Sequence, residues 1–183
     1  MQTENACGTK VLHYLLLPVI AAAYLLLQWG KLEPVYLLRF EVLIIFGYII
    51  ALGDLREKRI PNTTLLVMLA AWVAISIPRL FLAFEREWQV MTTSLLGAGV
   101  AFAIFLTVYI LSRKGLGGGD VKFITVVGLY LGLGGVIPAM LIGTILAAVV
   151  GLLLIALKRI DKKGTLPLAP FLYAGILVTI FMQ

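Results

Sequence analysis

The chain has 183 residues, a formal net charge of +6 and 62% hydrophobic residues, with a mean hydropathy of +1.07. Soluble domains run at about 45–50% apolar, so the composition excludes a water-soluble globular protein and implies a polytopic membrane protein. The basic residues stand in short loops beside apolar segments, where they orient a membrane protein rather than bind nucleic acid, and the single cysteine, Cys7, excludes an intramolecular disulfide or a cysteine-based metal site.

A spanning helix takes about 20 apolar residues. On that rule the sequence predicts an all-α membrane bundle of seven segments, over 11–29, 35–53, 63–84, 91–111, 121–135, 137–157 and 167–182. The first is read as a retained helix, not a cleaved signal peptide. Its apolar run is long, and no small-x-small site precedes the polar break at Gln28-Trp29-Gly30. The fifth segment is short, and Gly132, Gly134 and Gly135 with Pro138 predict a tight turn into the sixth. The fifth and sixth can also be read as one interrupted unit, which gives six. No repeat or low-complexity linker divides the chain, so residues 1–183 are expected to form one domain.

The loops set the orientation. With a cytoplasmic N-terminus, the inside set is Lys10, Arg56, Lys58, Arg59, Arg113, Lys114, Lys122, Lys158, Arg159, Lys162 and Lys163. The outside set is Lys31, Arg39, Arg79 and Arg86, and eleven against four is a clear positive-inside bias. This places the C-terminus outside and the ends of the second and fourth segments at the cytoplasmic face. Trp29 and Trp88 fall near outer boundaries, as interface anchors do.

Two of the three aspartates stand at that cytoplasmic edge. Asp54 closes the second segment in Gly53-Asp54-Leu55-Arg56-Glu57-Lys58-Arg59-Ile60-Pro61-Asn62. Pro61 biases Ile60 away from helix, and Asn62 is expected to cap a helix that begins at Thr63. Asp120 follows three glycines in Gly117-Gly118-Gly119-Asp120-Val121-Lys122. Those glycines permit close approach of another chain, and the following helix start favours a carboxylate. Read locally, Asp54 also fits a solvated charged loop and Asp120 a helix N-cap. A phosphate cradle does not fit, because the Walker spacing is absent. A carboxylate held in a bilayer costs about 2.5–3.5 kcal/mol at the helix centre, which makes such a group a functional candidate. Two on one side can share a proton.

Together the two motifs resemble a known family. Gly117-x-Gly119-Asp120 with Lys122 is similar to the GxGD motif of intramembrane aspartyl proteases. Asp54, Arg56 and Ile60-Pro61-Asn62 resemble the first-aspartate motif of the type IV prepilin peptidases. The resemblance continues in Pro138 and in Leu166-Pro167-Leu168-Ala169-Pro170-Phe171, an entry to the last helix. The presenilin branch shares GxGD, but its tyrosine-aspartate motif is missing, since Gly53 precedes Asp54.

The resemblance implies a prepilin-peptidase-like core over 35–183, preceded by an extra helix and short outer loop over 1–34. It implies a membrane-embedded aspartic endopeptidase of the inner membrane with Asp54 and Asp120 catalytic. Gly117, Gly119, Lys122, Pro61 and Asn62 would support the motif or contact substrate. No metal or cofactor is expected. The implied partners are the bilayer and a prepilin-like substrate with a basic leader, a glycine before the cut bond and then an apolar helix. N-methyltransferase activity is not expected, because about five residues, 30–34, replace the cytoplasmic segment that larger members carry after the first helix. Two rivals stay open: a small transporter or channel, whose carboxylates usually sit near the midplane, and a non-catalytic assembly protein. His13, the sole histidine, reads as an interfacial side chain. Glu41, two turns into the second segment, is expected to face the protein interior and pair with Arg79 or another polar group as a structural lock.

Overall fold

The computed structural model describes residues 16–30, 32–112, 115–158 and 166–182. Cys7, Lys10, His13 and Asp161 lie outside the described residues. Among those described, the fold is entirely helical: α1 (Leu16–Gln28), α2 (Pro34–Glu57), α3 (Asn62–Leu82), α4 (Phe84–Leu111), α5 (Gly118–Ala156) and α6 (Ala169–Met182). Four of them, α2 to α5, are long and apolar enough to cross a membrane.

Helix α5 resolves the choice between six segments and seven. It is 39 residues long, but Gly132 interrupts it with φ 66° and ψ −177°. That backbone conformation is essentially restricted to glycine. The two arms run in opposite directions. A Cβ on Gly128 would lie 2.7 Å from the Cα of Ala98, and one on Gly132 would lie 3.6 Å from the carbonyl oxygen of Thr93. The first arm therefore runs towards the start of α4. In the second arm, Ile137 to Thr144 share a cavity wall with Ile104 to Val108, and Gly151 comes back beside Leu166. The predicted turn is thus present. It is a kink at a single glycine between two helical arms, which are the fifth and sixth predicted segments.

Glycines also bring helix backbones together. A Cβ on Gly143 would stand 2.8 Å from the Cα of Leu172, and one on Gly175 would stand 2.7 Å from the amide nitrogen of Gly143. Such small-residue contacts let helices approach closely in lipid, where apolar burial alone gives no net drive. The packed interior runs through Leu43, Ile44, Phe123, Ile124, Val127, Val136, Leu172 and Ile176, all fully buried. Leu66, Val149 and Leu152 stay exposed on the outside, as a lipid-facing surface requires.

The end of the bundle away from the aspartates carries an ionic cluster. Arg39 and Glu87 form a fully buried pair, and Arg39 also donates to Ser76 Oγ at 3.1 Å. Arg79 bridges Glu87 and Glu33 at 3.1 Å each, and Arg86 also binds Glu33. The expected Glu41–Arg79 pair is not formed. Arg79 is engaged by Glu87 and Glu33, and Glu41 Oε1 is buried with no hydrogen-bond partner among the described residues. The ionic cluster at this end is built instead on Glu87, in the first turn of α4, and on Glu33. Glu87 lies in a stretch whose density of charge hides its helical character.

Candidate active site

Asp54 sits in the last turn of α2. The helix ends at Lys58 in the left-handed conformation (φ 50°), and the Lys58 amide donates to the Asp54 carbonyl at 2.9 Å. This αL cap reverses the chain, so residues 59–62 return over the site. Asp54 is only 6% exposed, although its neighbours Leu55 to Arg59 are exposed. Its Oδ2 accepts a 3.1 Å hydrogen bond from the amide of Ala169, the first residue of α6. The orphan N–H of that helix start thus orients the carboxylate. The solvated-loop reading of Asp54 is therefore set aside.

Asp120 lies in the first turn of α5, three residues after the N-cap Gly117. The cap is the glycine, so the N-cap reading of Asp120 does not hold. A Cβ on Gly117 would lie 2.8 Å from Asp120 Oδ2, so the glycine leaves room for the carboxylate to fold back over the turn. Asp120 is 9% exposed, and its Oδ1 has no hydrogen-bond partner among the described residues.

The remaining motif residues join the two aspartate turns. A Cβ on Gly119 would stand 3.1 Å from the Cβ of Ile60, which makes the third glycine a docking point for the 59–62 turn. Lys122 Nζ donates to Asn62 Oδ1 at 3.1 Å. The capping role expected of Asn62 is corrected: Pro61 occupies the N-cap, α3 begins at Asn62, and among the described residues no side chain caps it. Proline fixes a φ suited to that position, and Asn62 is freed to hold Lys122.

Both carboxylates line the same two adjoining cavities. One, of about 190 Å³, is walled by Gly115, Leu116 and the Leu166-Pro167-Leu168 entry to α6. The other, of about 300 Å³, is walled by Arg59, Ile60, Asn62, Gly118, Gly119 and Lys122. Asp54, Lys58, Gly117 and Asp120 belong to both. All five supporting residues except Pro61 therefore border the aspartates, and Pro61 acts through the turn it shapes. Three further neighbours of the aspartates have no role at the site assigned by the sequence: Lys58, Leu116 and the Ala169 amide. Lys58 merges with the orienting charge, Leu116 with an apolar background, and a backbone N–H leaves no side-chain signature. A buried carboxyl pair around a small cavity, one member oriented and the other with a free oxygen, is suited to holding and activating a water.

Residues 41–152 match the model of the type IV leader peptidase family. The chain is similar to the prepilin leader peptidase/N-methyltransferase of Xanthomonas campestris pv. campestris, with 27% identity over 140 residues, covering 73% of this chain and 46% of that protein. It is also similar to the protein of the same name from Bacillus subtilis, with 30% identity over 127 residues, covering 69% and 48% respectively. The chain spans about half the length of these curated relatives. No solved structure matches it.

Proposed function

The chain belongs to the type IV leader peptidase family, and from that premise we propose that it is a membrane-embedded aspartic endopeptidase that removes the leader of prepilin-like substrates at the cytoplasmic face. One observation carries the reading: Asp54 and Asp120, 66 positions apart, are both buried and line the same two adjoining cavities.

The residues supply the chemistry. Two neighbouring carboxyls in a partly dry site hold one proton between them more easily than two charges. The charged member takes a proton from water as the water attacks the amide carbon. The protonated member donates to the carbonyl oxygen, and proton transfer to the leaving amine completes hydrolysis. The pair acts as a unit, so acid and base are not assigned to separate residues. The two cavities give an extended peptide an approach from the α6 entry and an exit towards the 59–62 turn.

The bundle supports the orientation. Arg56, Lys58, Arg59, Lys122 and Lys158 belong to the aspartate end, and Arg39, Arg79 and Arg86 to the other, which favours a cytoplasmic site and an outside C-terminus in the inner membrane. The α1–α2 connection is residues 29–33, which supports peptidase action without methyl transfer.

The test is co-expression with prepilin-like proteins, comparing the native chain with Asp54→Asn and Asp120→Asn. Leader cleavage is expected from the native chain and from neither variant, with insertion and melting temperature preserved. Cleavage by either folded variant would remove the dyad.

A further inference from the structure

Beside the aspartate cavities lies a third of different chemistry. It occupies about 420 Å³ between α4 and the second arm of α5, and its lining is apolar apart from Thr144. The Thr144 hydroxyl is already committed, donating to the Met140 carbonyl at 2.7 Å. Among the described residues, the groove thus offers no charge or free polar group to a headgroup, ion or sugar. Its rim is open, because Ile104, Val108, Ile137 and Leu141 are each between 39% and 56% exposed on the lipid side. Leu116 and Leu168 wall both this groove and the smaller aspartate cavity. From that junction the groove runs along α4 to Ile104, seven residues before its end, or about 11 Å into the bilayer at 1.5 Å per residue.

We propose that this groove seats the apolar helix of the polypeptide being cleaved, on the side of the cut bond that stays in the membrane. The inference rests on the peptidase reading. The occupant follows from continuity: a chain whose amide lies between Asp54 and Asp120 passes Leu116 and Leu168 and then meets an apolar, lipid-open trough. A segment leaving the site in that direction enters the bilayer and must satisfy its own backbone, so it is helical. The volume lies within the usual range of about 300–1,000 Å³ for a binding pocket. It accepts a few side chains from one helix face, as helix-in-groove recognition does. Substrate choice is then set in two places: at the aspartates for the bond, and at Val108, Ile137 and Leu141 for the apolar helix.

Two arms test this. In the first, Val108→Trp and Leu141→Trp fill the groove away from the aspartates. Each is assayed in detergent on a full-length prepilin-like substrate and on a short peptide that spans the same bond but lacks the helix. The ratio of kcat/KM for the long substrate to that for the peptide is expected to fall at least tenfold, mainly through KM. A ratio within twofold of the native value in both variants overturns the proposal. In the second arm, Ile137→Cys is placed in a Cys7→Ser, Asp120→Asn background and oxidised with substrates bearing single cysteines along the apolar helix. A disulfide is expected at one helical face with Ile137→Cys and not with Val149→Cys, which is exposed elsewhere on the same arm. Equal cross-linking at both positions, or at neither, shows a groove filled by lipid and overturns the proposal. If the native chain cleaves neither substrate, the peptidase reading itself fails. If it cleaves both and the groove variants do not discriminate, the groove alone is lost.

Discussion

Asp54 and Asp120 reach the same pair of cavities by different local means, and the contacts that hold them make separate predictions. Among the described residues, the Ala169 amide is the hydrogen-bond donor to Asp54 Oδ2. Ala169→Pro removes that donor at the first position of α6, where a helix tolerates proline. A hydrogen bond to a charged group contributes about 1.5–3 kcal/mol, so kcat/KM is expected to fall between tenfold and a hundredfold, measured by leader cleavage with melting followed in parallel. The Lys122–Asn62 contact is partly solvated and joins the two turns. Lys122→Met and Asn62→Ala should each weaken activity, and the double variant should be no worse than the worse single, as a cycle of rates would show for one shared contact. The aspartates are legible in the sequence because each sits in a short run of unusual residues: three glycines in one, a proline-asparagine pair after a charged turn in the other. The role of Asn62 is not, because the local rule for a cap competes with a partner 60 positions away, which no local rule contains.

At the scale of elements, glycine placement decides how closely the rods approach. Gly132 holds a conformation other residues occupy only at about 1–3 kcal/mol. Gly132→Ala is therefore expected to lower stability by that amount. Gly175→Ala drives a methyl into the backbone of α5 near Gly143, and overpacking of this kind costs about 1–3 kcal/mol. A methyl added at Gly99 or Gly134 would meet nothing within 4 Å among the described residues, so alanine there should change stability by less than about 1 kcal/mol in either direction. Thermal unfolding in detergent separates the two classes. The turn near Gly132 is readable from its glycine cluster and the length of the apolar run. The start of α4 is not, because Glu85, Arg86 and Glu87 break the apolar pattern while remaining helical. Ion pairs with Arg39 and Arg79 on α2 and α3 make the Glu87 charge acceptable, and those partners are not its neighbours in the apolar pattern.

For the whole molecule, the ionic cluster ties α2, α3 and α4 at the end opposite the aspartates. Arg39 and Glu87 are 3% and 1% exposed, so the pair is shielded from water. Removing one partner of a buried pair costs about 3–5 kcal/mol, whereas replacing both by apolar groups of similar size is often neutral. Glu87→Gln is expected to destabilise the bundle strongly, and Arg39→Met with Glu87→Leu to recover part of the loss, because Arg79 keeps Glu33 but loses Glu87. Chemical denaturation of the three proteins checks the order. Equal destabilisation by the single and double variants would show that the charges themselves, rather than the unpaired residue, sustain the fold.

The bond between Asp54 and the start of α6 also has a meaning in time. Asp54 leaves the ribosome early, Asp120 follows, and the amide that orients Asp54 arrives 115 residues after it. At synthesis rates of about 5–20 residues per second, that interval is roughly 6–23 s. Asp120 emerges 66 residues into that interval, so only for its remainder does the nascent chain hold both proposed catalytic carboxylates without the amide that orients Asp54. Chains stalled before Ala169 emerges should be inserted yet inert, and release of the last helix should switch them on. On the peptidase proposal, completion of the final helix times the onset of cleavage during synthesis.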